Sequence, residues 1–295
     1  MKNSLKIAIL SYRSAPFGGG QGIYVYELSK VLKELGHQVD IISGPPYPEL
    51  MHGIELIKLP GLNLFSTFKF RDRLDLFLNK KNKSFDDWYE FGSTLLGGFP
   101  ELQTFGNRAH SYLLDKTYDV VIDNQSISYG AVKIQDSFPL VEIMHHPISK
   151  DYYYDLKFAK GILQSISKIR WYSFLKMQKS AAKKINVVVT PSMNSKEDIH
   201  IDFQVPMENI QVIPNGIDCD IFCPLPQILS KKNRLITTAS ADVPLKGLDF
   251  SLEAIARLKP EYPDIHLIII GSPRKEGHTE RLLKKLELEN HVSFR

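Results

Sequence analysis

The sequence contains little cysteine and no long apolar run. Among 295 residues there are 2 cysteines, and Cys219 and Cys223 lie close together without a second pair or a neighbouring histidine. A zinc site needs more ligands, so no metal is expected and both are interpreted as reduced structural thiols. No apolar run is long enough to cross a bilayer, and the N-terminal MKNSLKIAIL lacks the features of a signal peptide. We therefore expect a cytoplasmic protein.

Acidic residues are absent from residues 157–196, although the net charge of the chain is only +4. The basic residues there are Lys157, Lys160, Lys168, Arg170, Lys176, Lys179, Lys183, Lys184 and Lys196, with aromatic residues interleaved. Such a helix can lie on the anionic inner face of a membrane, where each cation adds about 1 kcal/mol. A solvated helix face gives the same pattern, so both interpretations stay open. Nucleic acid is not expected, because no binding motif accompanies the charge.

The strongest pattern lies between Leu5 and Gly44 and predicts a β-loop-α-β unit. A continuous apolar run, LKIAIL, is typical of a parallel strand covered on both faces. Glycines follow at 18–20 and 22, and apolar residues then recur at helical spacing until Gly36, where a helix C-cap favours positive φ. A second apolar run, QVDIIS, completes the unit.

The glycine loop of this unit favours a ligand site. Gly19 and Gly20 allow close approach to the backbone, the helix start offers free N–H groups, and Gln21 and Gly22 are candidates for an acceptor-side cleft. A dinucleotide fingerprint is not predicted, because Val25 occupies its third glycine position and no acid ends the second strand. The alternative is that the glycines serve only a turn and helix packing.

Polar residues end two later strands of the predicted sheet. Asp123 and Asn124 end DVVIDN, and His145 and His146 follow PLVEIM. Ligands of parallel α/β sheets sit outside the carboxyl ends of strands, so these residues are expected to share a cleft with the glycine loop. A structural histidine is the alternative. A long basic helix, ending near residue 185, is expected next.

The chain divides into two predicted domains, at a length typical of about two. The segment NGIDCDIFCPLP (215–226) is a suitable crossing point, and the α/β pattern restarts after it with LITTAS, a helix opened by Lys246 and Gly247, and IHLIIIG. We expect an α/β protein with two Rossmann-like parallel-sheet domains, residues 1–218 and a partial second domain, residues 219–295.

Three segments together resemble the retaining glycosyltransferases of family 4. They are Gly19-Gly20 followed by LSKVLKELGHQVDIIS, the IPNGID stretch from 213, and KGLDFSLEAIARL with IHLIIIG between 246 and 271. The resemblance implies a GT-B fold, in which the two domains face a cleft. It also implies metal-independent transfer of a sugar from a UDP- or GDP-linked donor, with no cofactor. The acceptor hydroxyl would belong to a lipid-linked glycan or a cell-surface polysaccharide precursor.

The resemblance also assigns roles to residues. Lys246, followed by Gly247, matches the lysine that contacts the donor diphosphate, and Gly19-Gly20 matches the loop glycines beside it. His145 matches the histidine near the transferred sugar, with His146 as second choice. Asp218-Cys219-Asp220 spells a D-x-D metal motif of a different glycosyltransferase fold and is interpreted as hinge.

Two departures from the family's sequence pattern predict a weaker activity for this chain. Ser240 stands where the family has an arginine that assists Lys246, and the acidic motif of two glutamates is absent from the 295 residues. The chain is therefore expected to be C-terminally truncated and, as it stands, inactive. The alternative is a non-catalytic protein that binds nucleotide-sugar or carbohydrate with the same fold. A related GT-B enzyme such as an epimerase is a weaker third option.

Overall fold

A computed structural model describes residues 4–16, 19–67, 69–159, 161–238 and 246–295. The chain forms two compact units, Met1–Asn215 and Gly216–Arg295. The division falls within the predicted crossing segment, three residues before the boundary predicted after Asp218.

Unit 1 is built on a seven-stranded parallel sheet in the order β3-β2-β1-β4-β5-β6-β7. Its strands are β1 (Lys6–Ser11), β2 (Gln38–Ser43), β3 (Glu55–Lys58), β4 (Val120–Asn124), β5 (Leu140–Ile143), β6 (Val188–Thr190) and β7 (Ile210–Val212). Its helices are α1 (Gly20–Glu34), α2 (Phe70–Asn79), α3 (Phe85–Leu95), α4 (Glu101–Leu113), α5 (Tyr129–Gln135), α6 (Ser149–Lys157), α7 (Ile162–Trp171), α8 (Leu175–Ala182) and α9 (Met193–Phe203). The predicted β-loop-α-β opening is confirmed, with Gly36 at φ 91° after α1.

The core lies on both faces of this sheet. Ile9 and Leu10 are adjacent in β1 and belong to different apolar clusters, since successive side chains of a strand point to opposite faces. Burying such a side chain fully contributes roughly 1.5–3 kcal/mol. On one face α4 meets α5 at two glycines, because a Cβ on Gly130 would lie 2.2 Å from the carbonyl carbon of Gly106. This contact brings the two helix backbones together beside the ends of β4 and β5.

The prediction of one long basic helix before residue 185 is wrong. The segment forms α6, α7, a 3₁₀ turn at Tyr172–Phe174 and α8. Gly161, at φ 86°, stands directly before α7, a backbone conformation that glycine adopts without steric cost. Phe174 and Leu175 turn into the core and fix the second break. The described basic residues are therefore spread over several helices and the segments between them, and Lys160 lies outside the described residues.

Unit 2 has a three-stranded parallel sheet in the order β10-β9-β8, as the restarted α/β pattern predicts. Its elements are β8 (Arg234–Thr237), α10 (Leu248–Leu258), β9 (His266–Ile269), α11 (His278–Leu286) and β10 (Val292–Phe294). Leu252 and Ile255 of α10 pack with Leu267 and Ile269 of β9 in its core. Across the described parts of both units, no helix is long and apolar enough to span a bilayer.

Candidate functional site

The carboxyl ends of β4 and β5 bring two predicted site residues into contact. The strands are neighbours, and His145 Nε2 lies 2.9 Å from Asn124 Oδ1. An amide oxygen only accepts hydrogen bonds, so this contact assigns the ring proton to Nε2 and leaves the Nδ1 lone pair available. Asn124 and His145 are therefore in contact at these strand ends, where the sequence led us to expect neighbouring polar residues.

His145 also lies against the helix that follows the glycine loop. Its ring meets the ring of Tyr24 edge-on, with centroids 4.5 Å apart and planes at 82°. Burial, assisted by the neighbouring His146, lowers the pKa of His145 to about 4. At neutral pH its ring is therefore uncharged, and it can exchange hydrogen bonds with hydroxyl groups but cannot act as a cation.

His146 points in a different direction. Its side chain is exposed, and Nε2 lies 3.1 Å from Oδ2 of Asp151 in α6. The backbone on both sides is held by Gln125, whose Oε1 accepts from the N–H of His145 at 3.2 Å and whose Nε2 donates to the carbonyl of His146 at 3.4 Å. Of the two histidines, His145 is the one that faces α1. No sequence pattern indicated Gln125, and Tyr24 was indicated only by its helical spacing.

The four candidate residues of the glycine loop have different surroundings. A Cβ on Gly19 or Gly20 would meet nothing within 4 Å, so the backbone at the start of α1 is open. Gly22 is buried, and a Cβ there would lie 2.2 Å from the carbonyl oxygen of Ala15. These surroundings fit the packing interpretation for Gly22, and its role in an acceptor-side cleft stays a prediction. The Gln21 side chain lies near the hydroxyl of Tyr12 and opposes the rise in the pKa of Tyr12 that burial causes.

An ion pair that the sequence did not predict lies just after β1. Arg13 Nη1 and Glu101 Oε2, at the first turn of α4, are 3.0 Å apart. Burial raises the pKa of Glu101 to about 7, with Arg13 opposing and Glu90 reinforcing the rise. The carboxyl end of β1 therefore carries a titratable carboxyl group, that of Glu101, next to Tyr12. It lies at the same end of the strands as Asn124 and His145.

In unit 2 the predicted donor residues also follow a strand. Lys246 is exposed and precedes Gly247, which caps α10 at φ 69°. His278 Nε2 lies 2.7 Å from Asp249 Oδ2, which joins the first turns of α11 and α10. Because α10 follows β8 and α11 follows its parallel neighbour β9, both helices begin at one edge of this sheet. Ser240 lies outside the described residues.

The loop between β9 and α11 adds two cations, Arg274 and Lys275, at that end of the sheet.

Asp123 is the remaining predicted residue. It is fully buried at the end of β4 in unit 1. Its side chain has no exposed surface in this structure, and its assignment to an acceptor-side cleft stays a prediction.

The D-x-D segment forms a local turn. Asp218 Oδ1 accepts from the backbone N–H of Asp220 at 3.0 Å and of Ile221 at 3.3 Å, which agrees with the hinge interpretation. Cys219 and Cys223 are both free and exposed. Within the described ranges, no group of three histidine, cysteine or acidic residues is arranged to hold a metal ion.

Comparisons with known proteins cover nearly the whole chain. The family model of Glycosyltransferase Family 4 matches residues 18–221, and that of Glycosyl transferases group 1 matches residues 226–295. An MMP alpha-(1→4)-mannosyltransferase of Mycolicibacterium hassiacum is 39% identical over 292 residues, which cover 98% of this chain and 69% of that relative.

Solved structures agree on the fold. A glycosyltransferase from Rickettsia africae has a TM-score of 0.57 at 17% identity, covering 99% of this chain and 68% of that one. A pneumococcal O-GlcNAc transferase, GtfA, solved with UDP and GlcNAc, has a TM-score of 0.59 at 12% identity, covering 99% of this chain and 76% of that one. The expected GT-B fold class is confirmed.

Proposed function

Since this chain belongs to glycosyltransferase family 4, we propose that it transfers a mannosyl group from a nucleotide diphosphate donor to an acceptor hydroxyl with retention of configuration. The observation that carries the proposal is the 39% identity to an alpha-(1→4)-mannosyltransferase, because it extends over 98% of the chain and so through both units. The nucleotide is a uridine or guanosine diphosphate. The acceptor is a glycan, lipid-linked or part of a polysaccharide precursor.

On the donor side, the cations and helix starts of unit 2 suit a diphosphate. Lys246 is exposed one residue before the cap of α10, and the first N–H groups of an 11-residue helix attract anions. Arg274 and Lys275 follow β9 at the same edge. They take over the charge that the family's arginine supplies and that Ser240 lacks, so no metal is required to stabilise the leaving group.

On the sugar side, His145 binds hydroxyl groups and does not remove the acceptor proton. With a pKa of about 4 and Nε2 committed to Asn124, its ring is a weak base at neutral pH. In the reaction the bond between the anomeric carbon and the diphosphate oxygen breaks, and a bond from that carbon to the acceptor oxygen forms. The acceptor proton passes to the departing diphosphate, which becomes a stronger base as the bond breaks.

The direct test is a donor panel of UDP-, GDP- and ADP-sugars, assayed for release of nucleotide and for transfer. We expect turnover of a mannose donor, reduced on the order of 10²–10³-fold by Lys246→Ala. Lys285→Ala, which removes an exposed lysine from α11, is the matched control. If the reading frame continues past codon 295, the extended chain is assayed in parallel.

The alternative is a protein that binds nucleotide-sugar without catalysis. The Ser240 position favours it, because one cation of the family's diphosphate site is replaced there. Nucleotide binding that Lys246→Ala weakens, without turnover of any donor in either chain, would support this alternative over the transferase.

We also propose that unit 1 docks on an anionic membrane surface. The α7 apolar face consists of Ile162, Leu163, Ile166 and Ile169, which are between 45% and 81% exposed. They lie at i, i+1, i+4 and i+7, so they form one side of the helix. No acidic residue occurs between 157 and 196, and Lys157 and Lys176 are exposed on either side of α7.

This docking surface differs from a simple basic helix. Lys168 lies 2.6 Å from Asp155, Arg170 donates to the carbonyl of Leu96, and Lys196 donates to the carbonyl of Ile210. These three basic residues therefore bond to groups within unit 1 and contribute less to lipid binding. Insertion of the apolar face of α7 supplies much of the binding free energy, at up to roughly 1.5–3 kcal/mol per aliphatic side chain. The enzyme would then work on the cytoplasmic face, where lipid-linked acceptors are presented.

A further inference from the structure

Two carboxyl groups lie directly opposite each other beneath the strand ends that carry His145. Asp123 of β4 and Glu142 of β5 are register partners, and neither side chain is exposed to solvent. The reaction proposed above uses neither group. Two charged carboxylates buried side by side would repel strongly and both lose hydration, so such a pair holds one proton.

The hydrogen bonding agrees with a shared proton. Within the described residues, both oxygens of Glu142 and Oδ1 of Asp123 are buried without a hydrogen-bond partner. A proton on Glu142, directed at Asp123, satisfies both groups at once. Burial and the Asp123 charge raise the pKa of Glu142 well above its usual value, whereas that of Asp123 rises only to about 6.

The pair stands under a turn of unusual backbone shape, residues 124–128. Asp123 Oδ2 accepts from Ser126 Oγ, and backbone N–H groups of the turn face both carboxyls. Gln125 and Ile127 have φ angles of 63° and 47°, a region that a β-branched residue rarely enters. Such a turn persists only where its surroundings hold it. Gln178 of α8 adds one more bond, to the carbonyl of Ser126.

The turn begins with the two residues whose side chains hold His145. Asn124 contacts the ring at Nε2, and Gln125 contacts the backbone on both sides of the imidazole. We propose that Asp123 and Glu142 are positioning residues, which share one proton and hold the 124–128 turn so that Asn124 and Gln125 fix His145. The inference rests on the proposed function for its catalytic consequence, and on the contacts alone for its structural part.

The test compares two substitutions at one position. Glu142→Gln keeps the size and a donor toward Asp123, and the pair keeps one negative charge. Glu142→Leu removes the donor. We expect Glu142→Gln to retain kcat within about threefold and Glu142→Leu to lose on the order of 100-fold in kcat, with little change in KM for the donor, because small displacements of a site residue cost rate. Asp40→Leu, which removes a buried carboxyl from β2, controls for stability.

The second readout is the pKa of His145, followed by NMR with ¹⁵N-labelled histidine and assigned by its loss in His145→Gln. Loss of a nearby negative charge alone would lower this pKa further, whereas displacement of the ring toward water would raise it toward 6.5. We expect a rise in Glu142→Leu and none in Glu142→Gln or Asp40→Leu. Because this readout needs no substrate, it stands even if the wild-type chain transfers no sugar.

Two results would overturn the inference. One is an unchanged or lowered pKa of His145 in Glu142→Leu. The other is a Glu142→Gln variant that behaves like Glu142→Leu in the NMR titration, which would remove the shared proton. A wild-type chain without turnover, but with the expected NMR pattern, would contradict the transferase and leave the positioning role in place.

Discussion

Tyr24 and His145 meet edge-on, with ring centroids 4.5 Å apart, and join the helix after the glycine loop to the loop after β5. The two residues are 121 positions apart in the chain (145 − 24). Edge-to-face aromatic pairs contribute about 0.5–1.5 kcal/mol beyond their buried area, so the contact helps to fix the orientation of the imidazole.

The first prediction concerns this ring contact. Tyr24→Ala exposes the imidazole, so the pKa of His145 should rise from about 4 toward 6.5. Tyr24→Phe keeps the ring and should leave the pKa near its original value. An NMR titration of both variants decides the matter. Equal pKa values in the wild-type and Tyr24→Ala proteins would mean that other residues keep the imidazole buried.

A second prediction follows from the open helix start at Gly19 and Gly20. If a donor phosphate approaches that backbone, Gly20→Val places a branched side chain in its path and should raise KM for the donor about tenfold or more, with little loss of stability. The control is Gly36→Ala, at φ 91° after the other end of α1, which should cost stability and not donor affinity. Steady-state kinetics and urea unfolding separate the two effects.

Glu101 makes the stability of unit 1 depend on pH. Its pKa in the folded chain, about 7, is above the usual 4.5, so its contribution is fully present below pH 4.5 and is lost as pH rises through 7. Between pH 5 and pH 8 the wild-type protein should lose up to about 3 kcal/mol relative to Glu101→Gln. Urea unfolding at both pH values measures this, with Glu208→Gln as exposed control. A pH-independent difference would show that Arg13 keeps Glu101 charged.

Two glycines with different surroundings, one at the α4–α5 contact and one in α3, are expected to respond to alanine with opposite changes in stability. Gly130→Ala places a methyl group 2.2 Å from the backbone of Gly106, which cannot move without separating the helices, so a loss on the order of 2 kcal/mol is expected. Gly92 in α3 has open space around its Cβ position. There, alanine should stabilise the protein by up to about 1 kcal/mol. Thermal unfolding of both variants tests the two signs together.

The membrane proposal predicts lipid-dependent flotation. Vesicles of phosphatidylglycerol and phosphatidylcholine in equal parts should carry the wild-type chain, and vesicles of phosphatidylcholine alone should carry much less. The double variant Ile162→Ser/Leu163→Ser should lose most of this binding. Ile201→Ser removes an equally exposed aliphatic residue from α9 and should keep it. Flotation that ignores lipid charge would leave the basic stretch as a solvated face.

Much of the fold could be predicted from continuous apolar runs, since buried parallel strands need them. LKIAIL, QVDIIS and DVVIDN each became a strand with neighbours in the expected sheet. The break of the basic segment into α6, α7 and α8 was not predictable, because Phe174 and Leu175 are buried by distant contacts that sequence periodicity does not contain. Tertiary packing decided that segment, not propensity.

The candidate site was predictable in part for a similar reason. The carboxyl ends of neighbouring parallel strands lie side by side, so Asn124 and His145 were expected to be close together. What the sequence could not reveal was the role of Asp123 or Glu142, each a single acid in an apolar strand. Only the register of β4 on β5 shows that the two are opposite each other and buried. The sequence signal for both residues was an acidic residue within an apolar segment that was predicted to be a buried strand.

The edge strand β8 has a practical consequence. Among the described strands it pairs with β9 alone, and its Leu235 and Ile236 are 43% and 68% exposed. An apolar edge with open N–H and C=O groups is a template for another strand, so concentrated samples of these 295 residues should self-associate through unit 2. Purification at low concentration, or the substitution Ile236→Lys, which adds a charge to the exposed edge, should reduce this self-association.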